Sequence, residues 1–289
     1  MHWRFLSLAL SALLLTVGAR AAQVWPGEFE LTQTYVGEGS VERDPQRRVG
    51  DFEENNTLLH LVFTPRIKLG VLRLGVEYER FGFGLSGNAA LPDQLQSLAA
   101  VVGLDTQLSD SILVRLEAQP GFYGQEIQSN DFNVPFLLGG TYIYSPDLQL
   151  VLGVGVNVEN KYPVLPGGGV RWKIARGWVL NAILPAPRLE YDWSRSVTVY
   201  LGANIKETNF RLNENFGTMR GRPRLNRAEL SYNEIRTGAG VDWKIADWLA
   251  LNLEGGYLPY RTFDFYRADI RYHQDGGAPY GMISFHGAF

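Results

Sequence analysis

Tyr280-Gly281-Met282-Ile283-Ser284-Phe285-His286-Gly287-Ala288-Phe289 is the C-terminal stretch of the chain. Read with period two, Gly281, Ile283, Phe285, Gly287 and Phe289 share one face, and Tyr280, Met282, Ser284, His286 and Ala288 the other. The first face is apolar with an aromatic at its end; the second is small or polar. A free end frays unless something holds it. A strand ending on Phe289 is held if it pairs with the first strand and closes a barrel. The matching stretch near the start is Gly27–Gly37, where Phe29, Leu31, Gln33 and Tyr35 alternate with Glu28, Glu30, Thr32 and Thr34.

The amino terminus carries a complementary signal. Arg4 precedes an apolar run from Phe5 to Gly18, and Ala19-Arg20-Ala21 is a small-x-small cleavage pattern. This predicts a secretory signal peptide over residues 1–21 and a mature domain over 22–289. Removing Arg4 and Arg20 takes Lys+Arg from 27 to 25 against 30 acidic residues, a formal net charge of −5. Such a chain lacks the basic footprint of a nucleic-acid binder. It contains no Cys, which excludes disulfides and thiolate metal sites. Beyond the signal no apolar run is long enough for a membrane helix.

Between these ends the chain repeats one pattern. The clearest case sets Leu148, Leu150, Leu152, Val154, Val156 and Val158 against Gln149, Val151, Gly153, Gly155, Asn157 and Glu159. A one-sided wall of this period fits a strand and not a helix. Similar alternation covers Asn55–Thr64, Leu72–Glu79, Leu98–Asp105, Ile112–Gln119, Val134–Tyr144, Gly167–Ala175, Trp178–Leu184, Arg188–Trp193, Val197–Lys206, Glu234–Trp243 and Leu249–Glu254. Residues 38–54, 82–96 and 208–233 and the stretch near 270 read as polar loops. Short turns near 65, 110, 146, 176, 194 and 247 alternate with these longer connections. Trp172, Trp178, Trp193, Trp243 and Trp248 cluster beside the short turns, where a membrane barrel places its aromatic girdle. A soluble sandwich has no reason to bank Trp at one end of its strands.

These features predict an all-β, antiparallel transmembrane barrel in a bacterial outer membrane. The terminal strand is similar to the C-terminal signal of outer-membrane barrels. That resemblance implies two partners: lipid and glycolipid around the wall, and the barrel-assembly machinery engaging the strand that ends at Phe289. Chain ends on one side require an even strand count. Fourteen follows if Pro185-Ala186-Pro187 breaks a short hairpin, and twelve if that region is one long strand.

The inward face carries both signs of charge. Candidate lumen residues are Arg73, Glu77, Arg115, Glu117, Lys206, Arg236, Asp242 and Glu254. They can line a water-filled pore with field-based selectivity, or form a salt-bridge mesh that fills the barrel; both readings stay open. Opposite charges close along one face (Arg73/Glu77, Arg115/Glu117, Arg236/Asp242) predict partial neutralisation. The loop 210–233 carries Arg220, Arg222, Arg224 and Arg227, whose guanidinium groups suit the phosphates of a surface glycolipid or an inward constriction. Ser284 and His286, with His60, Glu28 and Glu30 as neighbours, are the one enzyme lead, toward lipid or glycolipid; adjacency of polar residues is expected inside any barrel, and no catalytic residue is assigned. No cofactor fingerprint or zinc spacing occurs.

The run Val170-Arg171-Trp172-Lys173-Ile174-Ala175-Arg176-Gly177-Trp178-Val179-Leu180-Asn181-Ala182-Ile183-Leu184-Pro185, followed by Arg188-Leu189-Glu190-Tyr191, resembles an uncharacterised family of bacterial outer-membrane β-barrel domains. The resemblance implies a barrel and an envelope location. It brings no activity and no functional residues.

Overall fold

Strands that are apolar on one side and polar on the other satisfy both faces, and all their edges, by closing on themselves. The computed structural model describes residues 26–43 and 47–289, so the predicted signal peptide lies outside the described residues. Fourteen antiparallel staves form one closed sheet. They are β1 (Gly27–Arg43), β2 (Arg47–Phe63), β3 (Gly70–Leu85), β4 (Gln94–Ser109), β5 (Ile112–Ala118, carried on by Gly121–Gly124), β6 (Phe136–Ser145) and β7 (Leu148–Val156). The second half comprises β8 (Val164–Ala175), β9 (Trp178–Ile183), β10 (Arg188–Asp192), β11 (Val197–Arg211), β12 (Glu229–Ala246), β13 (Leu249–Phe265) and β14 (Ile270–Asp275, carried on by Ala278–Ala288). The hairpin at Pro185-Ala186-Pro187 is therefore two strands, and the count is fourteen and not twelve.

The first and last strands pair as expected, in a register from Glu28↔Ala288 to Val36↔Tyr280. At its end Gly27 and Phe289 exchange two backbone hydrogen bonds of 2.9 Å, and the ring of Phe29 lies 6.4 Å from both Trp248 and Phe289. The outward face is an apolar belt that includes Leu61, Val76, Leu116, Leu138, Leu152 and Leu201, all exposed. Trp172, Trp178, Trp193, Trp243 and Trp248 are exposed beside the short turns at one end. The belt is far larger than the apolar patch a soluble monomer presents.

The polar loops expected at 38–54, 82–96, 208–233 and near 270 are shorter than expected: 38–43 and 47–54 are strand, and the other connections shrink to 86–93, 212–228 and 266–269. There β1–β4 and β11–β14 continue past the belt as tall strands, and β6–β10 stop short. Two bulges hid this from the periodicity. One falls between Val36 and Gly39 in β1; the other lies in β13, opposite Ile235–Thr237. An extra residue flips the alternation. Below the bulges even-numbered residues such as Thr32 and Asn252 face inward. Above them the inward residues are Val41, Arg261, Phe263 and Phe265. The tall strands curl into a narrower outer section, which closes where the Gln125 N–H donates to the Arg211 carbonyl across 2.9 Å. An apolar core fills this section: Phe52, Phe81, Phe83, Tyr232 and Phe263 interlock with ring centroids 5.0–6.1 Å apart. From the connections, Leu91, Leu212, Phe216 and Leu225 pack into it, each at most 2% exposed.

Candidate solute path through the barrel

At belt level the interior has two unlike halves. The half built by β1–β5 and β11–β14 is a charged mesh. Arg73 is buried at its centre; it donates to both carboxylate oxygens of Glu28 (3.1 and 3.0 Å) and to Glu117 (3.2 Å), with Asp105 at 3.9 Å. Arg115 holds Asp105 through two bonds of 2.7 Å. His60 faces Glu77 at 2.9 Å. Lys206 pairs with Glu79 across the lumen and sits over the Phe81 ring at 4.8 Å. Glu254 accepts from Tyr200 and Tyr280, both at 2.6 Å, with Arg188 at 3.8 Å. Arg236 is buried against Glu234 (3.1 Å) and donates to Thr34 (3.2 Å). Asp242 lies 3.6 Å from His286.

The ion-pair partners differ from those expected along one strand. Arg73 binds Glu28 and Glu117 and not Glu77; Arg115 binds Asp105; Arg236 binds Glu234 and not Asp242. Same-face residues on one strand are about 6.8 Å or more apart, whereas neighbouring strands lie about 4.8 Å apart. Arg115 accordingly pairs with Asp105 on the adjacent strand, whereas Arg73 reaches across one intervening strand on each side to Glu28 and Glu117, and Arg236 pairs with Glu234 two residues away on its own strand.

The other half, β6–β8, presents no charge to the interior along most of its height. Its inward residues are Leu137, Gly139, Thr141, Val151, Gly153, Gly155, Leu165 and Gly167, which the register aligns in rows such as Gly139–Gly153–Gly167. Between the two halves lies a cavity of about 1440 Å³. It runs from the turn joining β2 and β3 (Arg66–Val71) and the Asp105–Arg115 pair up to Asn157, Asn160 and Thr208. Of the candidate lumen residues, Glu77, Arg115 and Lys206 line it; Arg73, Glu117, Arg236, Asp242 and Glu254 stand in the mesh beside it. The apolar wall was missed in sequence. Its signal was present in β7, where Val151, Gly153 and Gly155 leave the face opposite Leu150–Val154 small and uncharged.

The outer core ends the barrel axis above the cavity. Residues 212–228 supply the apolar plug, and their arginines stay outside it. Arg224 and Arg227 are exposed and Arg220 and Arg222 half-buried; Arg220 lies over Phe216 at 4.2 Å and Arg227 pairs with Glu214 at 3.1 Å. Beside the plug, Arg211 bridges Glu159 and Glu229. Burial raises the Glu159 carboxyl above its ordinary range and that of Asp131 to about 6, against the pull of Arg211 on both. On the seam, Ser284 accepts a 2.7 Å bond from Thr32, and its partner is not His286.

A family profile, described as a domain of unknown function, DUF6268, matches residues 64–274. The chain belongs to the DUF6268 family. No curated protein matches this DUF6268 chain in sequence. Among solved structures it is similar to the COG4313 outer membrane channel from Pseudomonas putida F1, with TM-score 0.49 and 8% identity over 93% of this chain and 97% of that one. It is also similar to the Ralstonia pickettii toluene transporter TbuX (TM-score 0.41, 8% identity, 91% and 90% covered). A third is the KdgM porin in complex with disordered oligogalacturonate (TM-score 0.35, 9% identity, 90% and 99% covered). At these identities the likeness concerns the barrel fold alone.

Proposed function

We propose that this DUF6268 protein is a channel of the bacterial outer membrane, and that solutes follow the off-axis cavity and not the barrel axis. The observation that carries this reading is the division of the interior. The outer aromatic core is packed solid and the mesh below it is cross-linked by ion pairs, whereas about 1440 Å³ beside the β6–β8 wall is open. A barrel whose only task is structural gains nothing from glycines at Gly139, Gly153 and Gly167, because a side chain at each would pack the wall against the mesh. The apolar belt and the Trp girdle support the membrane location. Lys206, Glu77 and Arg115 line one side of the path and set its field.

Single-channel recording in planar bilayers tests the proposal. Purified protein should give small, uniform conductance steps. A folded, heat-modifiable sample that inserts and shows no steps refutes it and leaves the filled structural barrel.

A further inference from the structure

Among the described residues the hydrogen-bonded wall is interrupted between β8 and β11. β8 pairs with β7 up to Val164 but with β9 only up to Gly169↔Ile183, extended by one bond from Leu184 to Gly168. On the far side of the short hairpin, β11 receives β10 and then the carbonyls of Pro187 and Pro185, up to the N–H of Ile205. Above this level the facing edges of β8 (164–168) and β11 (206–210) are not joined by any backbone ladder. They flank a notch whose lower lip is the tip of the β9–β10 hairpin. Its roof is the connection 157–163, which docks on β11 through Asn160 to Glu207 and Asn209 and through Glu159 to Arg211.

Three observations make the notch a way through the wall. The cavity lining passes from the inward Glu79, Lys206 and Thr208 to Leu184, Pro185 and Pro163 on the rim, so cavity and notch are continuous. The outward rim is open and apolar apart from one carboxylate: Val164, Leu184 and Ile205 are 58%, 49% and 40% exposed, and the exposed Glu207 on the β11 edge accepts a bond from Asn160 of the roof. Pro163, Pro166, Pro185 and Pro187 ring the notch. Proline has no N–H to leave unpaired at a free edge, and irregular backbone at membrane depth survives only where it lines a cavity.

We propose that this notch is a lateral portal through which small apolar molecules pass between the membrane and the cavity, a proposal that rests on the channel reading above. The solute class follows from what each route admits. The axial route from outside is stopped by the aromatic core and by the roof 157–163. A molecule reaching the cavity through the notch has crossed an apolar rim from lipid. It then meets Leu137, Val151 and Leu165 on a wall without charges. Hydrated ions and sugars pay desolvation at that rim, which slows them and keeps conductance steps small, and apolar solutes do not.

The test uses the absence of Cys in the chain. Gly167→Cys puts a thiol at the notch, where a Cβ meets nothing within 4 Å. Cells of a Gram-negative host expressing the full chain are given N-phenyl-1-naphthylamine, an apolar amine that an intact outer membrane excludes and that fluoresces in the inner lipid. Expression should raise the uptake rate at least fivefold over cells without the protein. Labelling Gly167→Cys with a biphenyl-sized maleimide should lower uptake at least fivefold relative to the same variant unlabelled. Labelling Leu253→Cys, on the outward face of β13, should leave it unchanged. If labelling Gly167→Cys has no effect, or uptake never rises while conductance steps persist in planar bilayers, the portal is refuted and the channel reading stands. Loss of both uptake and conductance removes the channel itself.

Discussion

Arg261→Met tests whether the outer section is held by its buried charges. Arg261 and Glu54 are at most 1% exposed and meet at 2.7 Å. The same guanidinium donates twice to Gln274 (2.9 and 2.6 Å) and stacks over Phe52 at 4.1 Å. Glu54 has one other donor, the Tyr232 hydroxyl, which it shares with Glu234. Met keeps the apolar stem packed on Phe52 and removes the charge. Glu54 then keeps only the Tyr232 hydroxyl, shared with Glu234, which retains Arg236. Breaking a buried pair on one side costs about 3–5 kcal/mol. At about 2–4 °C per kcal/mol for a chain of this size, the melting temperature should fall by about 6–20 °C. Arg261→Met/Glu54→Gln removes the orphaned charge and should recover more than half of the loss. The assay is thermal unfolding in detergent micelles followed by circular dichroism. A fall of less than about 3 °C for the single variant, or a double variant as unstable as the single one, would refute the reasoning.

Three further predictions follow from the same structure. Deleting Phe289 removes the two backbone bonds to Gly27 and the ring beside Phe29; assembled barrel in the outer membrane, scored by heat-modifiable mobility, should drop several-fold with export intact, and normal assembly would count against a closing role for this strand. Replacing Arg220, Arg222, Arg224 and Arg227 together by Gln should leave the reversal potential in a salt gradient unchanged, because they lie outside the cavity, while Lys206→Gln should shift it toward cations; the opposite result would place the path through the loop. Asp131 has a folded-state pKa of about 6, above its ordinary 3.8, so protonation stabilises the fold. That contribution is full below about pH 4 and lost as pH rises through 6. Asp131→Asn should therefore raise the melting temperature at pH 7.5 but not at pH 4; equal shifts at the two pH values would refute the assignment.

The belt-level fold is legible residue by residue. Leu148–Val156 could only be a one-sided strand, Trp172 and Trp178 fixed the turn end, and Tyr280–Phe289 had to find Gly27–Gly37. The cavity was not visible, because charge draws attention and the open side is made of glycine. Gly153 is uninformative alone; it becomes a wall only when the register sets it beside Gly139 and Gly167. The outer section was misread because one extra residue in β1 and one in β13 reverse which parity faces inward.

The strand period, the end that carries the girdle and the polarity of most inward faces can be read from the residues alone, because they are local properties written at spacings of two residues. Which charges pair, where the interior is packed or open, and the notch above the β9–β10 hairpin emerge only once the strands are assembled. Each depends on the register and height of strands distant in the chain, and a hydrogen-bonded ladder sets these only when the barrel closes.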